Sequence, residues 1–436
     1  MTLGKDRIVI GVIGFGTVGS GTVKILLNNQ DILKERTGFD LSLKRISDLD
    51  ISRDRGIAIT EGVLTTNVGD ILSDPEIDIV VELIGGIHPA KDFIIRAIRN
   101  GKHIVTANKA LLATEGNEIF EEAVKYGVEV GFEASVAGGI PIIKVIREGL
   151  VANRILNIYG IINGTSNYIL SRMTDEGSEF SEALKEAQKL GYAEADPTFD
   201  IEGVDSAHKL TILASLAYGI PLSYEDVYRE GITRITPQDI EFASEHGYKI
   251  KLLTIAKAVD KEVELRVHPT MIPADYLISK VDGVFNAIYV EGDAMGSTLY
   301  YGRGAGDMPT GSAIVSDIVD IARNIRMRAT GRVPLFRTTQ SGLKIRKMDD
   351  VDSMYYFRFS ALDSPGVLSK ISGILGDNNI SIASVIQKGR RVGGAVPLVV
   401  LTHRAKEKDV LGAIRSIDDL PVVTDKTHFI RVEGKE

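Results

Sequence analysis

The sequence predicts an α/β protein with a doubly wound parallel sheet at its start, an α+β region in its middle and a βαββαβ unit at its end. Apolar strand patterns alternate with helical patterns from Ile8 to Phe132, which is typical of βαβ units. From Tyr355 to Phe429 a second set of strands and helices follows in a different order. A chain of 436 residues also exceeds what one hydrophobic core supports, so two or three domains are expected.

The first strand pattern ends in a glycine motif. Ile8 to Ile13 is an apolar run typical of a buried strand, and a helical pattern resumes soon after it. Glycines at such a junction permit a tight turn and let backbone N–H groups approach a pyrophosphate. The motif therefore predicts a Rossmann-type domain that binds NAD or NADP, with a purely structural turn as the alternative. Its residues are Gly14, Phe15, Gly16, Thr17, Val18 and Gly19.

Further strands are predicted over 41–46, 78–83, 103–106 and 128–132, and helices over 89–99 and 109–126. Ligands of such sheets lie beyond the carboxyl ends of the strands. Thr106 and Lys109 follow one of these ends, so both are expected near the cofactor. The alternative for Lys109 is a solvated lysine at a helix start, where a positive charge is mildly unfavourable.

The expected domains follow from these patterns. A dinucleotide-binding domain should span 1–150 and be completed by a returning helix within 310–328. A substrate and dimerisation domain should span 151–309, a linker 329–350, and a C-terminal domain 351–436. The glycine-rich turn 301–311 precedes a helix predicted over 312–327. This turn either carries backbone close to the cofactor or is a plain loop.

Composition excludes several classes of function. A net charge of −8 argues against nucleic acid or anionic membrane as a partner. The sequence shows no apolar run of spanning length and no leader, so a cytoplasmic protein is expected. The absence of cysteine excludes disulfides, thiolate zinc sites and a cysteine nucleophile.

The stretch Gly191 to Lys209, GYAEADPTFDIEGVDSAHK, concentrates acids ahead of one lysine. It is either a solvated acidic loop that caps a helix, with Asp205 and Lys209 as an ordinary i,i+4 pair, or a site for a small cationic substrate. In the second interpretation Lys209 transfers a proton, because reduction of a carbonyl leaves an alkoxide that needs one. The rival groups, His88 and His208, are more readily explained as structural residues.

This stretch also resembles a known family signature. A glycine, a gap and then Asp-Pro-x-x-Asp-Ile-x-Gly-x-Asp-x-x-x-Lys is similar to the signature of homoserine dehydrogenases. The resemblance covers about Ile8 to Met327 and implies interconversion of L-homoserine and L-aspartate 4-semialdehyde, in the pathway to threonine, methionine and isoleucine. The matching residues are Gly191, Asp196, Pro197, Asp200, Ile201, Gly203, Asp205 and Lys209.

The resemblance also implies roles for individual residues. Lys209 would be the proton donor and acceptor, with Lys109 near the nicotinamide and the reacting oxygen. Glu194 and Asp205 would hold the substrate amino group with support from Asp200, while Gly191 and Gly306 would approach the ligands. A monovalent cation, usually assigned to sodium, would lie at Glu133 and the carbonyls of Val136, Gly138 and Ile140. A homodimer or homotetramer is expected.

The C-terminal unit resembles an ACT domain, a module that binds amino acids. Its βαββαβ order and the sequence Asp-x-Pro-Gly-Val-Leu carry the resemblance, through Asp363, Pro365 and Gly366. It implies regulation by threonine or another pathway product. The same turn residues would also serve a purely structural turn.

Two choices of cofactor are compatible with the residues that follow the second strand. Asp48 is placed to bond the ribose hydroxyls of NAD and would repel a 2′-phosphate. Arg45, Arg53 or Arg55 could receive that phosphate instead, and the family favours NADP slightly. The alternative functions are another amino-acid oxidoreductase of similar build and a non-catalytic nucleotide or amino-acid sensor.

Overall fold

A computed structural model describes residues 5–334, 342–387 and 394–434. Strands and helices alternate through the first third of the chain, and a 3-10 turn, Glu133–Ser135, and a π turn, Val145–Gly149, follow them. The elements are β1 (Arg7–Ile13), α1 (Thr17–Asn28), α2 (Gln30–Thr37), β2 (Asp40–Ser47), β3 (Leu64–Thr65), α3 (Gly69–Leu72), β4 (Ile79–Glu82), α4 (Ala90–Arg99), β5 (His103–Thr106), α5 (Lys109–Tyr126), β6 (Val130–Gly131), α6 (Ile142–Lys144) and β7 (Ile155–Ile161).

The middle of the chain mixes helices with long antiparallel strands. Its elements are α7 (Gly164–Glu176), α8 (Phe180–Lys189), α9 (Thr198–Ile201), α10 (Val204–Tyr218), β8 (Tyr228–Arg229), α11 (Pro237–Glu245), β9 (Tyr248–Val259), β10 (Glu262–Pro273), β11 (Phe285–Gly292), β12 (Gly296–Arg303) and α12 (Asp307–Met327). The last third holds β13 (Lys344–Ile345), β14 (Asp352–Leu362), α13 (Val367–Asp377), β15 (Ile382–Gln387), β16 (Ala395–Thr402), β17 (Ala405–Lys406), α14 (Glu407–Asp418) and β18 (His428–Val432).

The described residues form two compact units. The first comprises the segments Met1–Gly164, Val204–Val227 and Val284–Leu343. The second comprises Thr165–Gly203, Tyr228–Gly283 and Lys344–Glu436.

The first unit contains a six-stranded parallel sheet in the order β3-β2-β1-β4-β5-β6. The chain passes from β1 to β2 on one side and to β4 on the other, so the sheet is doubly wound and the predicted fold class is confirmed. Helix α12 packs on α1 and supplies Ile314 and Ile318 to the same core as Ile8, Ile10 and Val12. Strands β7, β11 and β12 form an antiparallel layer of this unit.

The second unit contains a mixed sheet. β9 and β10 form an antiparallel hairpin, β18 pairs in parallel with β10, and β14, β16 and β15 continue the sheet with antiparallel pairing. The elements from β14 to β18 have the predicted βαββαβ order, with the short β17 added. Their core holds Tyr355, Phe357 and Phe359 against Ile371 and Leu375.

Two segments differ from the sequence-based expectation. Helix α12 begins at Asp307, five residues before the predicted start at Ser312, and therefore takes up much of the glycine-rich turn. The segment 329–350, predicted as a linker, contains β13, which pairs with β10, and Arg346, which forms an ion pair with Glu262 at 2.8 Å. Residues 335–341 of that segment lie outside the described residues. In the part of the chain that is described, no helix has the length and apolar character needed to cross a bilayer.

Candidate active site

The glycine turn after β1 has the geometry of a pyrophosphate-binding turn. Gly14 has φ of +102°, and a Cβ there would lie 2.7 Å from the carbonyl of Leu83. A Cβ on Gly19 would lie 2.2 Å from the carbonyl oxygen of Gly14, whereas one on Gly16 would meet nothing within 4 Å. Gly16 is also the N-cap of α1 and has no side-chain cap. Two glycines therefore allow close packing, and the third leaves open the space that an anion at a helix N-terminus needs.

Side chains that follow β2 hold this turn. The backbone N–H of Phe15 donates to Oδ2 of Asp48 at 2.5 Å, and Nε of Arg55 donates to the carbonyl of Phe15 at 2.5 Å. Arg55 also lies 3.5 Å from the Asp48 carboxylate and 4.6 Å from the centre of the Phe15 ring. Arg45 instead donates to the carbonyl of Gly62 at 2.7 Å. Of the three arginines considered for a 2′-phosphate, Arg55 is therefore the one whose described contacts include the glycine turn.

The best-defined charged cluster of the first unit joins α10, α5 and the end of β7. Nζ of Lys209 donates to Oδ2 of Asp205 at 2.8 Å and to the carbonyl of Ile162 at 2.7 Å. Nζ of Lys109, the first residue of α5, lies 2.9 Å from Oδ1 of Asp205. The Asn163 amide donates to Oδ2 of Asp205 at 2.9 Å. One carboxylate therefore holds both lysines that were predicted to be catalytic.

The Asp205–Lys209 pair is buried rather than solvated, whereas Lys109 is partly exposed. Asp205 is 3% exposed and Lys209 is 8% exposed. Burial alone would raise the pKa of Asp205, but the charges of Lys209 and Lys109 outweigh it and hold that pKa well below its ordinary value. Asp205 therefore stays ionised, and its pair with Lys209 differs from the solvated i,i+4 pair of the alternative interpretation.

The two histidines lie in different settings. His208 is buried, and the centre of its ring lies 4.4 Å from that of Tyr224. His88 precedes Pro89 through a cis peptide bond and has a side chain that is 67% exposed.

The other residues predicted to bind the substrate belong to the second unit. Glu194 is exposed, and its backbone carbonyl accepts a hydrogen bond from Gln188 at 3.1 Å. The backbone carbonyl of Asp200 accepts from the Ser166 hydroxyl at 3.0 Å. Gly191 has φ of +76°, which favours glycine at this turn.

The predicted cation site lies on a turn of the first unit that contains Val136, Gly138 and Ile140. The Glu133 carboxylate accepts the backbone N–H groups of Ile143 and Lys144 at 2.8 and 2.9 Å. Burial raises the pKa of Glu133 to about 7, with a further contribution from Asp317. Within the described ranges, no cluster of three or more His, Asp or Glu side chains could hold a metal ion, so a cation here would rely on backbone oxygens.

The last two predicted positions are turns. Gly306 is the N-cap of α12 and has φ of +125°. Gly366 is the N-cap of α13 and has φ of +88°, and it follows Pro365 directly. The backbone N–H of Asp363, in the same turn, donates to the carbonyl of Gly394 at 3.0 Å.

Two residues of the first unit were not identified as functional from the sequence. Asn163 donates to Asp205. Glu82 ends β4, is fully buried and bonds Thr106. A charged residue at the carboxyl end of an apolar strand run, IDIVVEL, was the available signal for Glu82.

Known proteins agree with these features. The family profile described as the NAD-binding domain of homoserine dehydrogenase matches residues 14–133, that of homoserine dehydrogenase matches 141–319, and that of the ACT domain matches 355–419. The homoserine dehydrogenase of Neisseria gonorrhoeae is 48% identical over 428 residues, which cover 98% of each chain. That of Pseudomonas aeruginosa is 48% identical and covers 97% of this chain and 98% of its own.

Solved structures give the same result. A homoserine dehydrogenase from Thiobacillus denitrificans is 50% identical, covers 99% of each chain and superposes with a TM-score of 0.93. A hyperthermophilic archaeal homoserine dehydrogenase in complex with NADPH is 26% identical, covers 72% of this chain and 98% of its own, and has a TM-score of 0.61.

The parallel sheet and its glycine turn define a nicotinamide-dependent oxidoreductase with an added ACT domain. Because relatives 48–50% identical cover nearly the whole chain, the chain belongs to the homoserine dehydrogenase family. The resemblance inferred from residues 191–209 is therefore confirmed.

Proposed function

We propose that the chain interconverts L-homoserine and L-aspartate 4-semialdehyde, with Lys209 exchanging a proton with the substrate oxygen. The observation that carries this proposal is the Lys209–Asp205–Lys109 cluster, in which Asp205 and Lys209 are buried and Lys109 is partly exposed. A buried ion pair adds little to the stability of the fold, because the cost of removing both charges from water offsets much of their attraction. A site for proton transfer gives a reason to keep it.

Each group of the cluster has a definite task in this proposal. In the oxidation direction the uncharged Lys209 amine accepts the proton of the substrate hydroxyl, and in reduction its ammonium donates the proton back. Lys109 stabilises negative charge on the same oxygen. Asp205 and the Ile162 carbonyl orient Lys209, and Asn163 holds Asp205. The bound nicotinamide supplies the acceptor or donor of the hydride.

The glycine turn would hold the cofactor. Gly16, Thr17 and Val18 lie at the N-terminus of α1, where backbone N–H groups and the helix dipole favour a pyrophosphate. Thr106 ends β5, Lys109 begins α5, and Gly306 is the N-cap of α12. Gly191 belongs to this set only through the family resemblance.

Substrate recognition is proposed from the family signature. Glu194 would hold the substrate amino group with support from Asp200, which matches the signature of the family to which the chain belongs. The role of Glu194 comes from the resemblance to that family. Asp205 was expected to share this task, but its oxygens already accept from two lysines and an amide. Holding the lysines is therefore the larger part of its proposed role.

Further proposals concern bound ions and assembly. Glu133 and the carbonyls of Val136, Gly138 and Ile140 are proposed to bind a monovalent cation such as sodium, for which oxygen ligands are suited. We also propose that the chain forms a homodimer or homotetramer and is located in the cytoplasm. Its reaction would belong to the synthesis of threonine, methionine and isoleucine, with threonine as an effector of the ACT domain.

The cofactor choice can be tested at Arg55. We expect Arg55 to receive the 2′-phosphate of NADP, because its contacts include the glycine turn. Arg55→Ala should raise the Kd for NADPH about tenfold more than the Kd for NADH, a typical effect of losing a charge-assisted hydrogen bond to the 2′-phosphate, because the lost bond to the Phe15 carbonyl affects both cofactors alike. Arg53→Ala on the same loop is the comparison variant. A larger loss of NADPH affinity in Arg53→Ala than in Arg55→Ala would reject the assignment.

The reaction itself is tested by following nicotinamide absorbance with purified protein, homoserine and each oxidised cofactor. Homoserine-dependent reduction of the cofactor is expected, and it should reverse when aspartate 4-semialdehyde and reduced cofactor are supplied. Binding of cofactor without turnover in either direction would favour a nucleotide sensor and contradict the proposal.

A further inference from the structure

Glu82 occupies an unusual position at the carboxyl end of β4. Its side chain is fully buried, and Oε1 accepts the backbone N–H groups of Ile84 and Gly85 at 2.9 and 3.3 Å. Its Oε2 accepts the hydroxyl of Thr106 at 2.7 Å. One carboxylate thereby ties the loop after β4 to the end of the neighbouring strand β5.

The bonds continue into helix α5. The hydroxyl oxygen of Thr106 accepts the backbone N–H of Asn108 at 3.0 Å, and the Asn108 carboxamide oxygen caps α5 by accepting the N–H of Leu111 at 3.1 Å. The Asn108 amide also donates to the carbonyl of Gly86 at 2.6 Å. The network therefore closes on itself: it fixes both the loop 83–86 and the first turn of α5, where Lys109 begins the helix.

Burying a carboxylate costs free energy, because the group loses its hydration. Burial raises the pKa of Glu82, while its bonds to Thr106, Ile84 and Gly85 oppose that rise. A packed apolar residue at this position would avoid the free-energy cost of burying a carboxylate. We therefore attribute the presence of Glu82 to the orientation that its hydrogen bonds impose on the loop and on β5.

The strand order indicates which ligand benefits from that orientation. A dinucleotide lies across the point where the order reverses, between β1 and β4, with its pyrophosphate on the turn after β1 and its adenosine on the side of β2. The nicotinamide half therefore extends toward the ends of β4 and β5. Those ends are the two places that Glu82 joins.

We propose that Glu82 is a positioning residue for the nicotinamide half of the cofactor and for Lys109, acting through Thr106, Asn108 and the loop 83–86. The inference rests on the nucleotide site proposed above. It differs from a stabilising role because it predicts a loss confined to one half of the cofactor.

Isothermal titration calorimetry can separate the two halves. The unaltered protein is first titrated with the reduced form of its preferred cofactor and then with the adenosine half of that cofactor, which is ADP for NADH or adenosine 2′,5′-bisphosphate for NADPH. These two titrations test the nucleotide site independently of Glu82. Glu82→Ala should weaken binding of the reduced cofactor about tenfold, since several buried hydrogen bonds are lost, and change binding of the adenosine nucleotide less than about twofold. Equal losses for both ligands, or no loss for either, would overturn the proposal.

Two further variants keep the test decisive. Glu82→Gln retains an oxygen for the loop N–H groups and has an amide that can donate to the Thr106 hydroxyl oxygen, so it should recover most of the cofactor affinity and also test the idea if the alanine variant does not fold. Glu76→Gln, a side chain that is 72% exposed, is the matched control and should bind both ligands as the unaltered protein does. If Glu82→Gln folds but weakens both ligands equally, the proposal fails.

Discussion

Two aspartates of the first unit show how partners decide the state of a buried carboxylate. Asp205 and Asp317 are both nearly inaccessible to solvent. Asp205 lies between two lysines, and its pKa is lowered in spite of burial. Asp317 has the Lys144 ammonium only at 3.8 Å, and burial raises its pKa to about 6. The first is therefore a fixed anion, whereas the second changes charge within an ordinary range of pH.

The raised pKa of Asp317 has a consequence for stability. The pKa of Asp317 is raised from its ordinary value of 3.8 to about 6 in the folded state. Between pH 3.8 and about pH 6 the folded state therefore binds more of this proton than the unfolded state, and the stability contributed by Asp317 falls as pH rises through that window. Asp317→Asn should flatten this dependence by up to about 3 kcal/mol. Urea denaturation across the window measures it, with the exposed Asp31→Asn as control. A slope unchanged from that of the unaltered protein would contradict the assignment.

Some site residues could be predicted from the sequence and others could not. Lys209 and the glycines of the turn lie in spaced motifs, so their chemistry is visible locally. Glu82 and Asn163 act through partners that are 24 and 42 residues away, Thr106 and Asp205, and no local pattern records such a pairing. The distinction between a solvated and a buried Asp205–Lys209 pair also needed the fold.

Among the elements, α1 and α12 form a close helix pair in the first unit. They approach closely at two glycines: a Cβ on Gly21 would lie 2.1 Å from the carbonyl oxygen of Asp307, and one on Gly311 would lie 2.8 Å from the backbone of Gly21. The missing side chains permit backbone contact between the helices. This contact places the N-terminus of α12, with Gly306, against the helix that follows the glycine turn.

Gly21→Ala tests this crossing. The added methyl group meets backbone rather than a flexible side chain, so we expect a loss of about 1–3 kcal/mol in the free energy of unfolding, measured in urea. Gly373→Ala is the matched control, because a Cβ there on α13 would meet nothing within 4 Å. It should raise the free energy of unfolding by about 0.5–1 kcal/mol. Similar effects of the two substitutions would show that the crossing tolerates a side chain.

Element boundaries were predictable where local signals marked them. Helix α5 was predicted over 109–126 and spans Lys109–Tyr126, because Asn108 caps its start and Gly127, with φ of +65°, ends it. The start of α12 was missed, since Pro309 and two glycines favour a loop. Proline is tolerated in a first helical turn, and the packing on Gly21 fixes the remaining residues as helix.

At the scale of the whole molecule, the ACT domain is part of the sheet of the second unit. Strand β18 pairs with β10, and Glu433 just beyond it binds Arg266 at 2.7 Å and Lys257 at 2.5 Å. Arg431 binds Glu407 and also Glu230, at 2.8 Å to the latter. Deleting residues 355–436 would remove Glu433 from Lys257 and the buried Arg266, and loss of one partner of a buried ion pair costs about 3–5 kcal/mol, so deletion is a poor test of regulation.

A single substitution tests regulation better. If threonine binds at the turn after β14, Asp363→Ala should abolish inhibition by threonine, or raise the required concentration about tenfold or more, because a charged acceptor for its amino group is lost. Uninhibited activity should stay the same. Asp377→Ala, an exposed aspartate at the end of α13, is the control. Full inhibition that persists in Asp363→Ala would place the effector elsewhere or exclude this role.

The central claim is that Lys209 exchanges the proton, and Lys209→Ala tests it most directly when turnover and cofactor affinity are measured on the same preparation. We expect kcat for homoserine oxidation to fall about 10²–10⁴-fold, the usual contribution of a general acid–base group, while the Kd of the reduced cofactor stays within about twofold. Lys185→Ala, an exposed lysine on α8, should change neither value. Retained turnover in Lys209→Ala, or a loss of cofactor affinity that accounts for the lost activity, would contradict the claim.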